Sequence, residues 1–303
     1  MSNHTSGDSK VVHIGFDDTD STEGRCTTNL AFRTISKLSS ETDSTFIDYP
    51  LLVRLNPNIP WKTRGNGAIC LRIKTDQLSQ IMEYMVKILR TESDIANGAN
   101  PGLAIFESDN IPLALRQFSK RAMYDVIKME EAEKLASQLS IQIFKYGRGL
   151  GIIGAMASIG SLLEGDHTYE AIAYRKDEYH GSTRKIDKSK VSKLNIDTYP
   201  CTFNCFDSIH DRVLIAPHGP DPVFCGIRGE DPQTVVRSLH YVMPVEKLEG
   251  YMVFRTNQGT NMHLQNELPL KEIKNHKAGY SRCKVTKKPT IIRGGHVLFE
   301  VSD

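Results

Sequence analysis

The stretch His13–Asn29, HIGFDDTDSTEGRCTTN, constrains this chain most, because its structural period changes in the middle. Val11, Val12, Ile14 and Phe16 form a short apolar run of buried-strand type. Asp17, Asp18 and Asp20 follow at once, and Ser21–Gly24 reads as a turn. Thr27 and Thr28 then open a helical pattern through Leu30, Ala31, Ile35 and Leu38. Three carboxylates therefore sit at the carboxyl end of a strand, facing a helix amino terminus. Carboxylates there suit Mg²⁺, which takes one or two of them plus phosphate oxygens. The free amides of a helix start suit the phosphates themselves. The competing reading is turn and capping chemistry, for which Asp, Ser and Thr are favoured. Three acids within four positions repel one another unless a cation neutralises them, which tips the balance toward metal and phosphate.

A chain of 303 residues has room for two or three domains. It has no apolar run long enough to span a membrane and no signal-peptide pattern, and residues 1–9 read as a loose polar tail. Six scattered cysteines without an export signal imply reduced thiols and a cytoplasmic location. Cys201 and Cys205 lack the second pair that a structural zinc needs. The net charge of +2 says little, but its distribution says more. Lys271–Arg293 holds eight Lys or Arg against one acid, and Arg175–Lys193 holds seven against three. Unmatched cations of this kind fit a polyanion such as RNA, or else a solvated surface.

Residues 46–56 read as a strand. NPNIPWKTRGNG follows, with Lys62, Thr63, Arg64, Gly65, Asn66 and Gly67 as a candidate oxyanion cradle, since glycine lets amides approach a phosphate. Asn-Gly is equally a hairpin signal, and a hairpin tip presenting Lys62 and Arg64 satisfies both readings. Leu78, Ile81, Met82, Met85, Ile88 and Leu89 share one helical face. One or two helices occupy residues 111–137, and a strand covers Ile141–Lys145. The glycines of YGRGLG precede an apolar helix and read either as a nucleotide loop or as close packing on a sheet. Strands are expected over Tyr169–Tyr174, Val213–Ala216, Val223–Ile227 and Gly250–Thr256, with a helix over Pro232–Val242. The order strand, helix, strands, helix, strand is the split βαβ arrangement of ferredoxin-like domains. The connection Arg175–Asp211 is long for a compact domain and reads as functional or partly mobile. Ile291–Ile292 and Val297–Val301 read as two final strands.

Seven segments, FDDTDSTEGRCTTNL, LVRLNPNIPWKTRGNGA, GRGLGIIGAMASIG, YEAIAYR, APHGPDPVFCGIRGE, FRTNQGT and IRGGHVLFEVSD, occur in one order. In that order the chain resembles the archaeal tRNA-isoleucine 2-agmatinylcytidine synthetase (TiaS) family over almost all of residues 11–303. The resemblance implies an α+β (α/β) chain with an ATP-dependent kinase-like catalytic domain over 10–145. A ferredoxin-like domain over 146–262 follows, then the start of an OB-fold over 278–303. It implies ligation of agmatine to the 2-position of the wobble cytidine in the CAU anticodon of an isoleucine tRNA, with ATP ending as AMP and phosphate. It also implies a phosphorylatable threonine at Thr27, whose competing role is to cap a helix. The family's OB-fold has only begun at Asp303, and its zinc ribbon is absent, so a separate chain supplying both is one expectation.

The chemistry fits those residue types. The 2-oxygen of cytosine is a poor leaving group until it is esterified, and phosphoryl transfer needs positioning and charge neutralisation above all. Asp17, Asp18 and Asp20 are the candidate metal ligands and, with Thr27, the candidate catalytic residues. Lys62 to Gly67 are the candidate ATP phosphate contacts. Arg282, Lys284, Lys287, Lys288 and Arg293 are the candidate RNA contacts. His218, Asp221, Arg228 and Glu230 read equally as RNA or inter-domain contacts and as turn or salt-bridge residues. Two other function classes stay open: a metal-dependent phosphotransferase or nucleotidase acting on a small molecule, which the aspartates and the KTRGNG run alone would also support, and a non-catalytic RNA-binding fragment left by truncation.

Overall fold

The computed structural model describes residues 10–242, 246–292 and 297–302. The polar tail 1–9, Arg293 and His296 lie outside the described residues. The first half runs β1 (Lys10–Asp17), α1 (Thr27–Glu41), β2 (Thr45–Phe46), β3 (Leu51–Arg54), β4 (Gly67–Thr75), α2 (Leu78–Glu92) and β5 (Gly102–Glu107). Next come α3 (Leu113–Ala122), α4 (Met129–Gln138), β6 (Gln142–Lys145) and α5 (Gly151–Gly160). The second half runs β7 (Thr168–Arg175), α6 (Lys188–Thr198), β8 (Thr202–Phe203), β9 (Phe206–Asp207), β10 (Arg212–Val213), β11 (Val223–Gly229), α7 (Pro232–Val242) and β12 (Leu248–Thr256). Two short two-stranded ladders follow, one nested in the other: β13 (Lys284–Val285) pairs with β16 (Val301–Ser302), and between them β14 (Thr290–Ile291) pairs with β15 (Val297–Leu298).

One sheet unites the halves, in the order β6-β5-β1-β4-β3-β12-β7-β11-β8, with β2 on β4. Within the first half, β1-α1-β3-β4-α2-β5 gives the spatial order β5-β1-β4-β3. Within the second, β7-α6-β8-β11-α7-β12 gives β12-β7-β11-β8. Both are the split βαβ arrangement with antiparallel neighbours, so the chain uses one topology twice. The halves join through a short parallel pairing of β3 with β12, Leu51 opposite Arg255 and Leu52 opposite Thr256.

Residues of β1 are buried on both faces, as expected of a central strand. Val12, Ile14 and Phe16 pack with Leu30 and Leu38 of α1 and Ile81 and Met85 of α2. The opposite face lies beneath α5, and Gly15 is required there: a β-carbon would stand 2.1 Å from the Ala155 carbonyl oxygen. Helix α5 thus packs on the strands of the first half together with α3 and α4. On the second half, α6 and α7 cover one sheet face through Val191, Leu194 and Val242. The opposite face, carrying Glu170 and Ile172, is left toward a cleft.

Several expectations change. The strand over 46–56 is two strands, interrupted between Phe46 and Leu51 where Asp48 accepts Arg72 and Arg255. The long connection 175–211 is ordered: it contains α6, the first crossover helix, and β8, the edge strand. The strand over 213–216 shrinks to Arg212–Val213 and pairs with β9, outside the main sheet. Of the cations over 175–193, Arg175 binds Glu246 and Ser182, and Arg184 donates to four backbone carbonyls. Those two are consumed inside the protein and offer nothing to a polyanion.

Candidate active site

A cleft of about 580 Å³ opens between the end of β1, the start of α1, the β3–β4 loop and the uncovered face of the second half. All ten residues assigned from sequence to catalysis, metal or phosphate line it: Asp17, Asp18, Asp20, Thr27 and Lys62–Gly67. The chain crosses from strand to helix in a tight path. Asp18 adopts φ +57, and Ser21 N–H donates to the Gly24 carbonyl. Helix α1 begins with no side-chain cap at Cys26, which leaves its first amides open to water or a ligand.

The three carboxylates differ. Asp17 lies against α5: a β-carbon on Gly154 would stand 1.9 Å from Asp17 Oδ2. Burial, then the neighbouring Asp18 charge, pushes its carboxyl well above the ordinary range. Burial and Asp20 push the Asp18 carboxyl up to about 6, against hydrogen bonding to Asn100. Asp20 is also raised by burial, but Arg64, Thr63 and Thr27 oppose the shift. Its Oδ2 lies 3.2 Å from Arg64 Nη1, and its Oδ1 accepts Thr63 Oγ1 at 3.1 Å and Thr27 Oγ1 at 3.4 Å. Thr27 in turn accepts Thr19 Oγ1 at 3.0 Å. The buried Thr27 hydroxyl is therefore held against a carboxylate rather than over its own helix amides.

Arg64 stands where a phosphate-binding cation is expected, but its guanidinium is already occupied. It donates to the Arg25, Ser21 and Gly24 carbonyls at 2.7, 3.1 and 3.3 Å, closing the turn after the aspartates. Lys62 Nζ donates to the Arg64 carbonyl at 3.0 Å. Asn66 Nδ2 donates to the Asn56 carbonyl, so the Asn-Gly pair ends a longer loop instead of making a two-residue hairpin turn. The glycines accommodate Arg54, whose Nη1 would lie 2.6 Å from a β-carbon on Gly65 and 3.0 Å from one on Gly67.

Arg54 and Glu170 are cleft residues that sequence reasoning missed, and they group with Arg228, which it read equally as an RNA or inter-domain contact and as a salt-bridge residue. Arg54 Nη2 lies 3.4 Å from Glu170 Oε2, and Arg228 Nε lies 3.2 Å from Glu170 Oε1. Burial alone would raise the Glu170 carboxyl, but Arg228 and Arg54 outweigh it and hold it below the usual range. Two guanidinium groups share one buried carboxylate, leaving a net positive charge in the cleft wall. The signal available in sequence was a lone acid at an alternating position of YEAIAYR. Asp221, 2% exposed, also lines the cleft. Its Oδ1 accepts Val223 N–H at 3.1 Å and lies 3.4 Å from Arg184 Nη2, while Oδ2 has no hydrogen-bond partner among the described residues.

Gly151 and Gly154 bring α5 against Asp17 and Gly102, so the glycines of this segment serve close packing, and Gly151 and Gly154 also line the cleft. Among the candidate RNA contacts, Lys284 and Lys288 are exposed, Arg282 lies 3.7 Å from Glu267, and Lys287 pairs with Glu300. None of these four lines the cleft. Among the described residues no group of three acids, histidines or cysteines is arranged to hold a metal unaided, and all six thiols are free. Mg²⁺ needs only one or two carboxylates when phosphate oxygens complete its shell. Asp17 and Asp18, buried and mutually repelling, fit that smaller donor set. Among the described residues no helix is long and apolar enough to cross a membrane.

Comparison with known proteins shows which family the chain resembles over its length. Residues 13–77 match the model of the TiaS TCKD domain, and residues 149–263 match that of the TiaS FLD domain. The isoleucine-tRNA 2-agmatinylcytidine synthetase TiaS of Pyrococcus horikoshii is 40% identical over 299 residues, covering 97% of this chain and 68% of the relative. That of Cenarchaeum symbiosum is 39% identical over 291 residues, covering 96% and 64%. The chain thus spans about two thirds of the length of the curated relatives it matches. A solved complex of TiaS with an isoleucine tRNA and ATP aligns with a TM-score of 0.87 at 34% identity, over 96% of this chain and 69% of that one. A complex of TiaS with the tRNA, AMPCPP and agmatine gives 0.86 at 32% identity, over 96% and 71%.

Proposed function

The chain belongs to the TiaS family, and on that premise we propose that it is a cytoplasmic ATP-dependent ligase that joins agmatine to the wobble cytidine of a CAU-anticodon isoleucine tRNA. The observation that carries this reading is the cleft lined by buried acids, an uncapped helix start and Asp221, whose buried Oδ2 has no hydrogen-bond partner among the described residues. ATP phosphates take the amides of Thr27 and Thr28 and the side of the cleft walled by Arg54 and Arg228. Asp17 and Asp18 would hold Mg²⁺, which supplies charge neutralisation to the transferring phosphoryl group. Asp20 orients the Thr27 hydroxyl and accepts its proton, preparing that oxygen to receive a phosphoryl group. Forming AMP breaks both anhydride bonds of ATP: one phosphoryl group passes to the Thr27 oxygen, from which water later releases it as phosphate, and the other esterifies the cytosine 2-oxygen and turns it into a leaving group. The agmatine amine then forms the new bond to C2 as the oxygen departs with phosphate. The buried Oδ2 of Asp221, without a hydrogen bond of its own, is suited to a cationic co-substrate.

The test is AMP formation by the chain with ATP, agmatine and tRNA, each omitted in turn. The expected result is AMP release that requires both agmatine and a CAU-anticodon tRNA. ATP turnover indifferent to both would make this a small-molecule phosphotransferase, and absence of nucleotide binding would leave only an RNA-binding module.

A further inference from the structure

Trp61 is the only tryptophan of the chain, and it stands 56% exposed on the rim of the cleft. Its loop is well fixed. Pro57 and Pro60 restrict the backbone, Asn58 N–H donates to Asn56 Oδ1, and Lys62 N–H donates to the Ile59 carbonyl. A segment some two hundred residues later is stapled onto this loop. Asn56 Nδ2 donates to the His276 carbonyl at 2.6 Å, Asn58 Nδ2 to the Lys277 carbonyl at 3.0 Å, and Ala278 N–H to the Tyr124 carbonyl at 2.8 Å. His276 Nδ1 lies 3.0 Å from the Asn58 carbonyl oxygen, and the residue is held at φ +68. A side chain rarely adopts that backbone conformation unless its surroundings enforce it.

The outcome of these contacts is a second ring beside the indole. The His276 and Trp61 centroids are 6.3 Å apart, with planes inclined by 53°, so the rings are not stacked on each other. Fixed backbone and open aromatic surface occur together here, and the stapled segment itself carries exposed cations. Lys271 and Lys274 are exposed on the stapled segment, and the basic run continues through Arg282, Lys284, Lys287 and Lys288. Exposed aromatic rings set among cations are how proteins hold unpaired bases of a single-stranded nucleic acid. A mononucleotide would not need a cationic run of this length, whereas a polyanion would.

We propose that Trp61, flanked by His276, is a stacking platform for an unpaired RNA base at the mouth of the cleft, next to the base that enters it. The platform rests on the RNA-modifying reading and adds to it a residue that positions the strand. Stacking of one base is worth roughly 1–3 kcal/mol by substitution, so Trp61→Ala should weaken binding of a single-stranded RNA heptamer centred on CAU by about tenfold or more. Because the indole is unique, its emission reports on this position alone. The heptamer should quench it saturably. A heptamer abasic at the positions flanking the cytidine, ATP alone and inorganic triphosphate should not. Trp61→Phe should recover most of the affinity, and ATP affinity measured by calorimetry should be the same in all three proteins. Equal heptamer binding by Trp61→Ala would discard the platform while leaving RNA binding in place. Quenching by ATP, with ATP affinity lost in Trp61→Ala, would assign the ring to adenine instead. Failure of the unaltered chain to bind the heptamer at all would sink the platform and the RNA reading together.

Discussion

The two halves share a strand order but treat the same connection in opposite ways. In the first half, the turn from the first strand to the first helix carries Asp17 and Asp18, raised by burial and by neighbouring carboxylates, and Asp20, raised by burial against the opposing Arg64. In the second half, that connection starts at Arg175, which is fully buried. Its Nε and Nη2 donate to the two oxygens of Glu246 at 2.5 and 2.8 Å, and Nη1 to the Ser182 carbonyl. One turn is left charged and open to a cleft; the other is neutralised and closed. Topology alone therefore does not make a site here, and the sign and pairing of the charges at one turn decide it. Substitution can break that contrast from either side.

The largest expected effect is on stability in the second half. Arg175→Met strands the Glu246 carboxylate, 9% exposed, and should cost about 3–5 kcal/mol in urea unfolding. Arg175→Met with Glu246→Leu should recover most of it, because a buried ion pair can be replaced by apolar groups at little cost. If the double variant were as unstable as the single one, the charge-pair account of this turn would fail.

The first half should respond with the opposite sign. Asp18→Asn should lower ATP turnover roughly a hundredfold or more, since it removes a candidate metal ligand. The same change removes a raised carboxyl and should leave the ligand-free protein as stable as before or more so. Full ATP turnover at saturating Mg²⁺ would remove Asp18 from the chemistry. A large loss of stability would make it a structural residue like Arg175.

An intermediate effect is expected where the turn meets α5. Gly154→Ala places a β-carbon against Asp17 Oδ2 and should cost about 1–3 kcal/mol through forced displacement of helix or carboxylate. A variant as stable and as active as the parent would show that the helix and Asp17 are not in firm contact.

The smallest effect is a pH slope. Asp18 titrates at about 6 in the fold against an ordinary 3.8, so the folded state binds this proton more tightly than the unfolded one. The resulting stabilisation is fully present below 3.8 and is lost as pH rises through about 6. The melting temperature of the metal-free protein should therefore fall as pH rises through that value, and the fall should flatten in Asp18→Asn. An identical slope in that variant would assign the effect to other groups.

What the sequence disclosed depended on how local each signal was. The strand–acid–helix segment, the α2 face and the span Pro232–Val242 are carried by residues close in the chain, and each appears where periodicity places it. Helix α6 was missed because only Val191 and Leu194 are buried in it, too few for an apolar stripe. Helix α5 was seen as a helix but not placed on the first half. Nearly all its residues are buried, so no polar face shows its orientation. The Arg54–Glu170–Arg228 group joins strands from both halves, and the lone acid of YEAIAYR does not tell which cations it meets. Arg64 illustrates a different limit: a cation beside glycines reads as a phosphate contact, but its hydrogen bonds to three carbonyls emerge only when the turn is built.

The pairing of β3 with β12 also carries a consequence for the order of assembly. Asn257, fully buried, accepts from the Arg54 amide and donates to the Arg54 carbonyl across 203 positions of chain. A nascent polypeptide can complete the first four-stranded split βαβ unit long before that residue leaves the ribosome, because β5, the last of its strands, ends at Glu107. Until then the cleft lacks the wall that the second half supplies. Loop closure over such a span is slow and comes late, so the candidate catalytic groups are among the last parts of the molecule to be enclosed.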